Sequence, residues 1–198
     1  MCGIFGSFDR DEFLHLANVN SYRGSRSYSI SLFHNNKVRV ISRGDGAIQS
    51  LPNNTEGLLI GHQRAPTADN NYTHPAFSGT SHLWHNGIIK INQIEEWQRE
   101  YNTQIDWDTQ LLANLIDDHG YSFLNDIDGS FACVHLFNSV LNIFRNSNCP
   151  LFVKGSSFSS TKIDNFTSIK AGVIYTLQDE WKETNVKFKD SNQFFWSM

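Results

Sequence analysis

Nine short runs rich in β-branched and aromatic residues, at 2–8, 27–34, 37–43, 57–64, 82–89, 130–137, 140–145, 151–154 and 172–177, recur along this sequence. Runs of that length and composition read as strands, and so many of them commit the chain to sheet. Only three stretches carry a helical period. Residues 10–19 put Phe13, Leu16 and Ala17 on one face, residues 92–101 put Ile94, Trp97 and Tyr101 on one face, and the segment after Asp108 repeats Leu111, Leu112, Leu115 and Ile116. Asp108 suits the N-cap of the third helix, and Asn92 with Glu95 three residues on predicts a capping box for the second. The Asn35-Asn36 pair between two runs predicts a two-residue hairpin, because Asn tolerates positive φ. A few amphipathic helices over many strands imply an α+β fold of packed layers rather than a pure sandwich.

The chain has 198 residues, 39% of them hydrophobic, and reads as one domain over 1–198 with no linker or repeat. Sixteen basic residues against 20 acidic ones leave a net charge of -4, which argues against a nucleic-acid backbone or an anionic membrane as ligand. No basic leader or long apolar run appears, so a soluble, cytoplasmic protein is expected. Three cysteines without paired spacing fit neither a disulfide framework nor a zinc site. Cys133 in an alternating apolar run and Cys149 before Pro150 read as structural. His62, His74, His82 and His85 lack helical ligand spacing around an acid, so no metal is expected.

Cys2 differs from the other two. Met1 followed by a small residue is a usual substrate for methionine removal, which would make Cys2 the mature N-terminus. One residue would then carry a thiol and an α-amine titrating near ~7.7–8.0, close to the pH at which a general base works best. Nucleophile and base would come from a single residue.

The motifs that follow run in order through the chain: Met-Cys-Gly-Ile-Phe-Gly at 1–6, Tyr22-Arg23-Gly24, Gly61-His62-Gln63-Arg64-Ala65-Pro66-Thr67, His74-Pro75, His85-Asn86-Gly87-Ile88-Ile89 and Trp107-Asp108-Thr109-Gln110. Asp128-Gly129-Ser130-Phe131-Ala132, Arg145 through Pro150-Leu151, and Phe158-Ser159-Ser160-Thr161-Lys162 complete the series. Together they resemble the class II glutamine amidotransferases, whose glutaminase domains use an N-terminal nucleophile. The His-Asn-Gly-Ile-Ile segment is closer to the hexosamine-forming and purine-pathway branches, glucosamine-6-phosphate synthase and amidophosphoribosyltransferase, than to asparagine synthetase.

The resemblance implies a four-layer αββα sandwich of the N-terminal nucleophile hydrolase type. It also implies that Cys2 attacks the side-chain amide of glutamine and forms a thioester, while the Asn86 side chain and the Gly87 N–H stabilise the oxyanion. Asn86-Gly87 is equally a strong hairpin-turn signal. Arg64, with Thr67 adding a hydroxyl bond, fits the substrate carboxylate, since a guanidinium binds it through two parallel bonds. Asp108 fits the substrate amine, with one oxygen capping the helix and one facing the ligand. Arg23 resembles a family arginine that orients the nucleophile, against the plainer reading of a surface salt bridge. No cofactor is implied. Two departures stand out: Ser25-Arg26-Ser27 follows Arg23-Gly24 where the family has an acidic residue, and Ala65 and Ala68 replace an aromatic and a histidine, which predicts a more open pocket wall.

Family members usually join this domain to a synthetase-type domain, and fewer than forty residues follow Ser160. The ammonia acceptor is therefore expected on a separately encoded subunit, with Phe194-Phe195-Trp196 either contacting it or packing on the domain's own core. Two other readings stand beside this one: a stand-alone hydrolase of another γ-glutamyl-type amide, and a non-catalytic glutamine-binding or docking module.

Overall fold

The computed structural model describes residues 1–53, 55–65, 72–79 and 81–190, so Thr67 and the Phe194-Phe195-Trp196 cluster lie outside the described residues. In chain order the elements are β1 (Gly3–Ser7), α1 (Arg10–Asn20), β2 (Ser27–His34), β3 (Lys37–Asp45), β4 (Leu58–Arg64), β5 (Ala76–Ser78) and β6 (Ser81–Ile89). Then come α2 (Ile91–Glu100), α3 (Asp108–His119), a 3-10 segment (Gly120–Asp126), β7 (Gly129–Phe137) and β8 (Val140–Arg145). The chain continues through β9 (Phe152–Lys154), β10 (Ser157–Ser159), β11 (Thr167–Ser168), β12 (Val173–Leu177) and β13 (Trp181–Lys187).

Two antiparallel sheets result, one ordered β11-β9-β10-β1-β4-β2-β3 and the other β13-β12-β8-β7-β6-β5. Strand alternation divides the core into three buried layers. Between the sheets lie Ile4, Ile60 and Phe158 from the first and Trp84, Val134 and Ile143 from the second. On the outer face of the first sheet Phe5, Ile30 and Leu59 meet Phe13, Leu16 and Ala17 of α1. On the outer face of the second, Leu83, Phe131 and Cys133 meet Ile94 and Trp97 of α2 and Leu111, Leu112 and Leu115 of α3. Each buried Leu, Ile, Val or Phe among them contributes roughly 1.5–3 kcal/mol relative to exposure. The order of layers is α, β, β, α, the four-layer α+β sandwich expected from the motifs.

All nine predicted runs form strands. β5, β10 and β11 are too short to carry a pattern, and β13 escapes because only Trp181 along it is buried. The Asn35-Asn36 hairpin forms, with φ of 49° and 59°. Both predicted caps move. The Lys90 carbonyl takes the amides of Gln93 and Ile94, so α2 begins at Ile91 and Asn92 lies inside it with no capping box. The Trp107 carbonyl takes the Leu111 amide, so Trp107 is the N-cap of α3 and Asp108 its first helical residue.

The fold brings four chain segments to one end of the sandwich. Gly3 pairs with Gln63, which puts Cys2 beside the Arg64 end of β4 in the first sheet. The Gly87–Ile89 end of β6 in the second sheet and the start of α3 come to the same cavity.

Candidate active site

Cys2 stands just before β1, half-buried, in a cavity of about 490 Å³ that it shares with Arg64, His74, Gly87, Trp107 and Asp108. Burial pushes the Cys2 thiol above its ordinary range, and a hydrogen bond from the Ala65 amide, the N-terminal ammonium and Arg64 pull the other way. The thiol is therefore stored protonated and needs a base. A larger hollow of about 730 Å³, lined by Arg10, Asn53, Thr55 and Glu56, contains no such nucleophile.

Arg23 donates from Nε to the Cys2 carbonyl at 3.1 Å, and its Nη2 lies 3.8 Å from Met1 Sδ. The guanidinium thus ties the Cys2 backbone to the end of α1. Gly24 is what lets this segment approach, since a Cβ there would lie 2.5 Å from the Arg64 carbonyl carbon and 2.6 Å from the Ala65 nitrogen. Arg64 closes the cavity beside Cys2, with Nη1 donating to the Tyr72 carbonyl at 3.4 Å.

Asn86 and Gly87 are not a hairpin turn. They sit inside β6, paired with Ala132 and Phe131 of β7, and the turn signal is overridden by an uninterrupted strand pairing. Gly87 has φ 154° and borders the cavity, and a Cβ would fall 1.8 Å from the Ser130 carbonyl oxygen, so no other residue fits. Asn86 is fully buried, with Nδ2 donating to Cys149 Sγ at 3.7 Å, while Cys149 Sγ donates to the Asn86 carbonyl at 3.1 Å. Cys149 thereby braces the segment that the motifs assign to the oxyanion.

Asp108 faces the cavity at the start of α3. Its Oδ1 accepts from the Thr109 amide at 2.7 Å, and its Oδ2 lies 3.8 Å from His85 Nδ1. One oxygen serves the helix terminus and the other lies toward His85, although the residue is not the N-cap. Behind Asp108 sits a group whose members the sequence reading did not join. The His62 and His74 rings stack at 3.7 Å, and the Thr109 hydroxyl lies 3.2 Å from His74 Nε2 and 3.3 Å from His85 Nδ1. All four of these side chains are buried. The signal available was the alternation of β6, which puts His85 on the α3 face, and the position of Thr109 next to Asp108. Tyr72 and Trp107 stack at 5.2 Å along the rim, with the Tyr72 hydroxyl 2.5 Å from Asp106 Oδ1. Among the described residues no three metal-ligating side chains converge.

Two solved structures share this architecture. Glutamine phosphoribosylpyrophosphate amidotransferase from B. subtilis, complexed with ADP and GMP, superposes with a TM-score of 0.70 at 20% identity, over 92% of this chain and 49% of that one. A structure described as the allosteric regulatory enzyme of purine biosynthesis gives 0.68 at 20%, over 92% and 48%. The chain has the fold of the class II glutamine amidotransferases. It spans about half the length of these two structures. No protein-family model matches the sequence, and no curated protein matches it. Among the described residues, no helix is long and apolar enough to cross a membrane.

Proposed function

We propose that this chain hydrolyses the side-chain amide of glutamine to glutamate and ammonia through a Cys2 thioester. The observation that carries the reading is the meeting of a half-buried thiol, a guanidinium and a carboxylate, from Cys2, Arg64 and Asp108, in one cavity. A free amino acid presents a carboxylate and an ammonium, and the two charged side chains complement them. With Met1 removed, the Cys2 α-amine takes the thiol proton and sulfur attacks the amide carbon. The carbonyl oxygen becomes an oxyanion, which the motifs assign to the Gly87 N–H on the cavity wall and to the Asn86 carboxamide, with two N–H donors. Collapse breaks the C–N bond as the ammonium returns the proton to departing ammonia. Water then cleaves the thioester, releasing glutamate and the thiol. Arg23 holds the Cys2 backbone for attack. Thr67 is assigned the substrate's carboxylate together with Arg64.

Ammonia is mostly protonated and poorly nucleophilic in neutral water, so the reading includes its delivery to a separate ammonia-accepting synthetase or transferase subunit in the cytoplasm. The testing experiment combines mass and turnover. Intact-mass measurement should show Met1 absent from active protein, a glutamine-analogue diazoketone should add once at Cys2, and Cys2→Ala should lower ammonia release by at least about a thousandfold. Full activity with Met1 retained, or turnover by Cys2→Ala, overturns the mechanism.

A further inference from the structure

Thr109 is the first residue behind Asp108 and carries more contacts than a helix-terminal threonine needs. Its hydroxyl lies 3.3 Å from Asp108 Oδ1, 3.2 Å from His74 Nε2 and 3.3 Å from His85 Nδ1, and the residue is 1% exposed. A hydroxyl has one proton and two lone pairs. The Asp108 carboxylate only accepts, so the single proton goes to it. Both imidazoles must then donate, His74 through Nε2–H and His85 through Nδ1–H. That tautomer assignment leaves His74 Nδ1 and His85 Nε2 bare, and these are two buried ring nitrogens without a hydrogen-bond partner. A cationic ring would instead bury an N–H with nothing to receive it.

The elements holding this hydroxyl come from the whole fold. His62 on β4 of the first sheet stacks under His74, His85 stands on β6 of the second, and Thr109 belongs to α3. We propose that Thr109 is a positioning residue: its hydroxyl, gripped by His74 and His85, fixes Asp108 Oδ1 so that Oδ2 meets the α-amine of the substrate. The inference rests on the glutaminase reading above and adds a residue that acts only through Asp108.

The test compares glutamine with 4-carbamoylbutanoate, the same amide lacking the α-amine, on the wild-type protein, Thr109→Val and Thr109→Ser. Thr109→Val should raise the KM for glutamine about tenfold with kcat nearly unchanged, the scale of one hydrogen bond to a charged group. Its turnover of the amine-free amide should match the wild type, and Thr109→Ser should restore the wild-type ratio of the two substrates. If Thr109→Val does not fold, Thr109→Ala, without the second branch, reads the same ratio. Equal losses on both substrates, or none on either, overturn the inference while the glutaminase reading stands. A wild-type protein inert toward glutamine overturns both.

Discussion

The two ends of α3 carry the same chemistry to different uses. At its start, Asp108 and Thr109 meet His74 and His85 against a cavity of about 490 Å³ that holds the Cys2 thiol. Near its end, Asp117 Oδ2 accepts from Ser81 Oγ at 2.8 Å, Oδ1 lies 3.6 Å from His135 Nε2, and His135 Nδ1 is 2.9 Å from the Tyr121 hydroxyl. Acid, imidazole and hydroxyl recur at both ends. The far group, however, borders a hollow of only about 170 Å³, and burial pushes the Tyr121 phenol above its ordinary range, so it stays protonated. Residue types alone therefore do not make a site; an accessible thiol and a larger cavity separate the two ends. The far cluster ties α3 to β6 and β7, and the near one lines the Cys2 cavity.

The largest expected effect is shared by both ends and comes from acid. Burial above all, with the Arg64 charge adding to it, lowers the His62 pKa to about 3, and burial likewise holds His74 well below its ordinary value. Burial lowers His135 to about 4 against the pull of Asp117. Because these folded-state values lie below that of an unfolded histidine, the unfolded chain binds more protons between roughly pH 6.5 and the folded values. Stability is thus present at neutral pH and lost as pH falls. From pH 7 to 5.5 each buried histidine should cost about 1.3 kcal/mol, near 4 in all, and His135→Gln should keep about two thirds of the loss. Urea unfolding at the two pH values measures it, and a flat stability would mean that the histidines are not held neutral.

Next in size are the two acids, which should split cleanly. Asp108→Ala should raise the KM for glutamine about a hundredfold, the loss of a partner for a charged group, while changing unfolding free energy by no more than about 1 kcal/mol. Asp117→Asn should do the reverse, with KM within about twofold and stability lower by about 2 kcal/mol, because the carboxylate that accepts the buried Ser81 hydroxyl loses its charge. Steady-state ammonia release and urea unfolding on the same two preparations decide it. If Asp117→Asn moves KM as Asp108→Ala does, the two ends are one functional unit.

Much of this was legible in sequence because alternation is local. The pattern of Leu83 and His85 against Trp84 and Asn86 correctly gives β6 and its two faces, and Phe13, Leu16 and Ala17 correctly give the buried side of α1. The stacking order of the layers came from the motif series, since nothing in a strand's own period says which sheet lies opposite. Local signals also misled. Asn86-Gly87 carries the chemistry of a turn, but the φ of 154° at Gly87 serves a strand pressed against the Ser130 carbonyl. Asp108 looked like a cap, and the helix began one residue earlier in effect because the Trp107 carbonyl was in reach of Leu111. The histidine group around Thr109 was hidden for a different reason: it joins residues of β4, β6, α3 and the segment before β5, and no window along the chain contains them together. Contacts of that range are set by topology.

The smallest effect sharpens the comparison most finely, because it removes one atom. Tyr121 is packed against Phe144 with ring centroids 5.4 Å apart, an edge-on contact that Phe would keep. Its hydroxyl reaches His135 Nδ1, so Tyr121→Phe deletes a hydrogen bond and leaves a buried ring nitrogen without a partner. A neutral bond of this kind contributes about 1 kcal/mol. The variant should lose that much stability in urea at pH 7, with glutamine KM and kcat unchanged. The deletion of a hydroxyl at Thr109, near the start of the same helix, should instead appear in KM. If Tyr121→Phe altered turnover, strain would be travelling the length of α3 and its two ends could not be treated as separate.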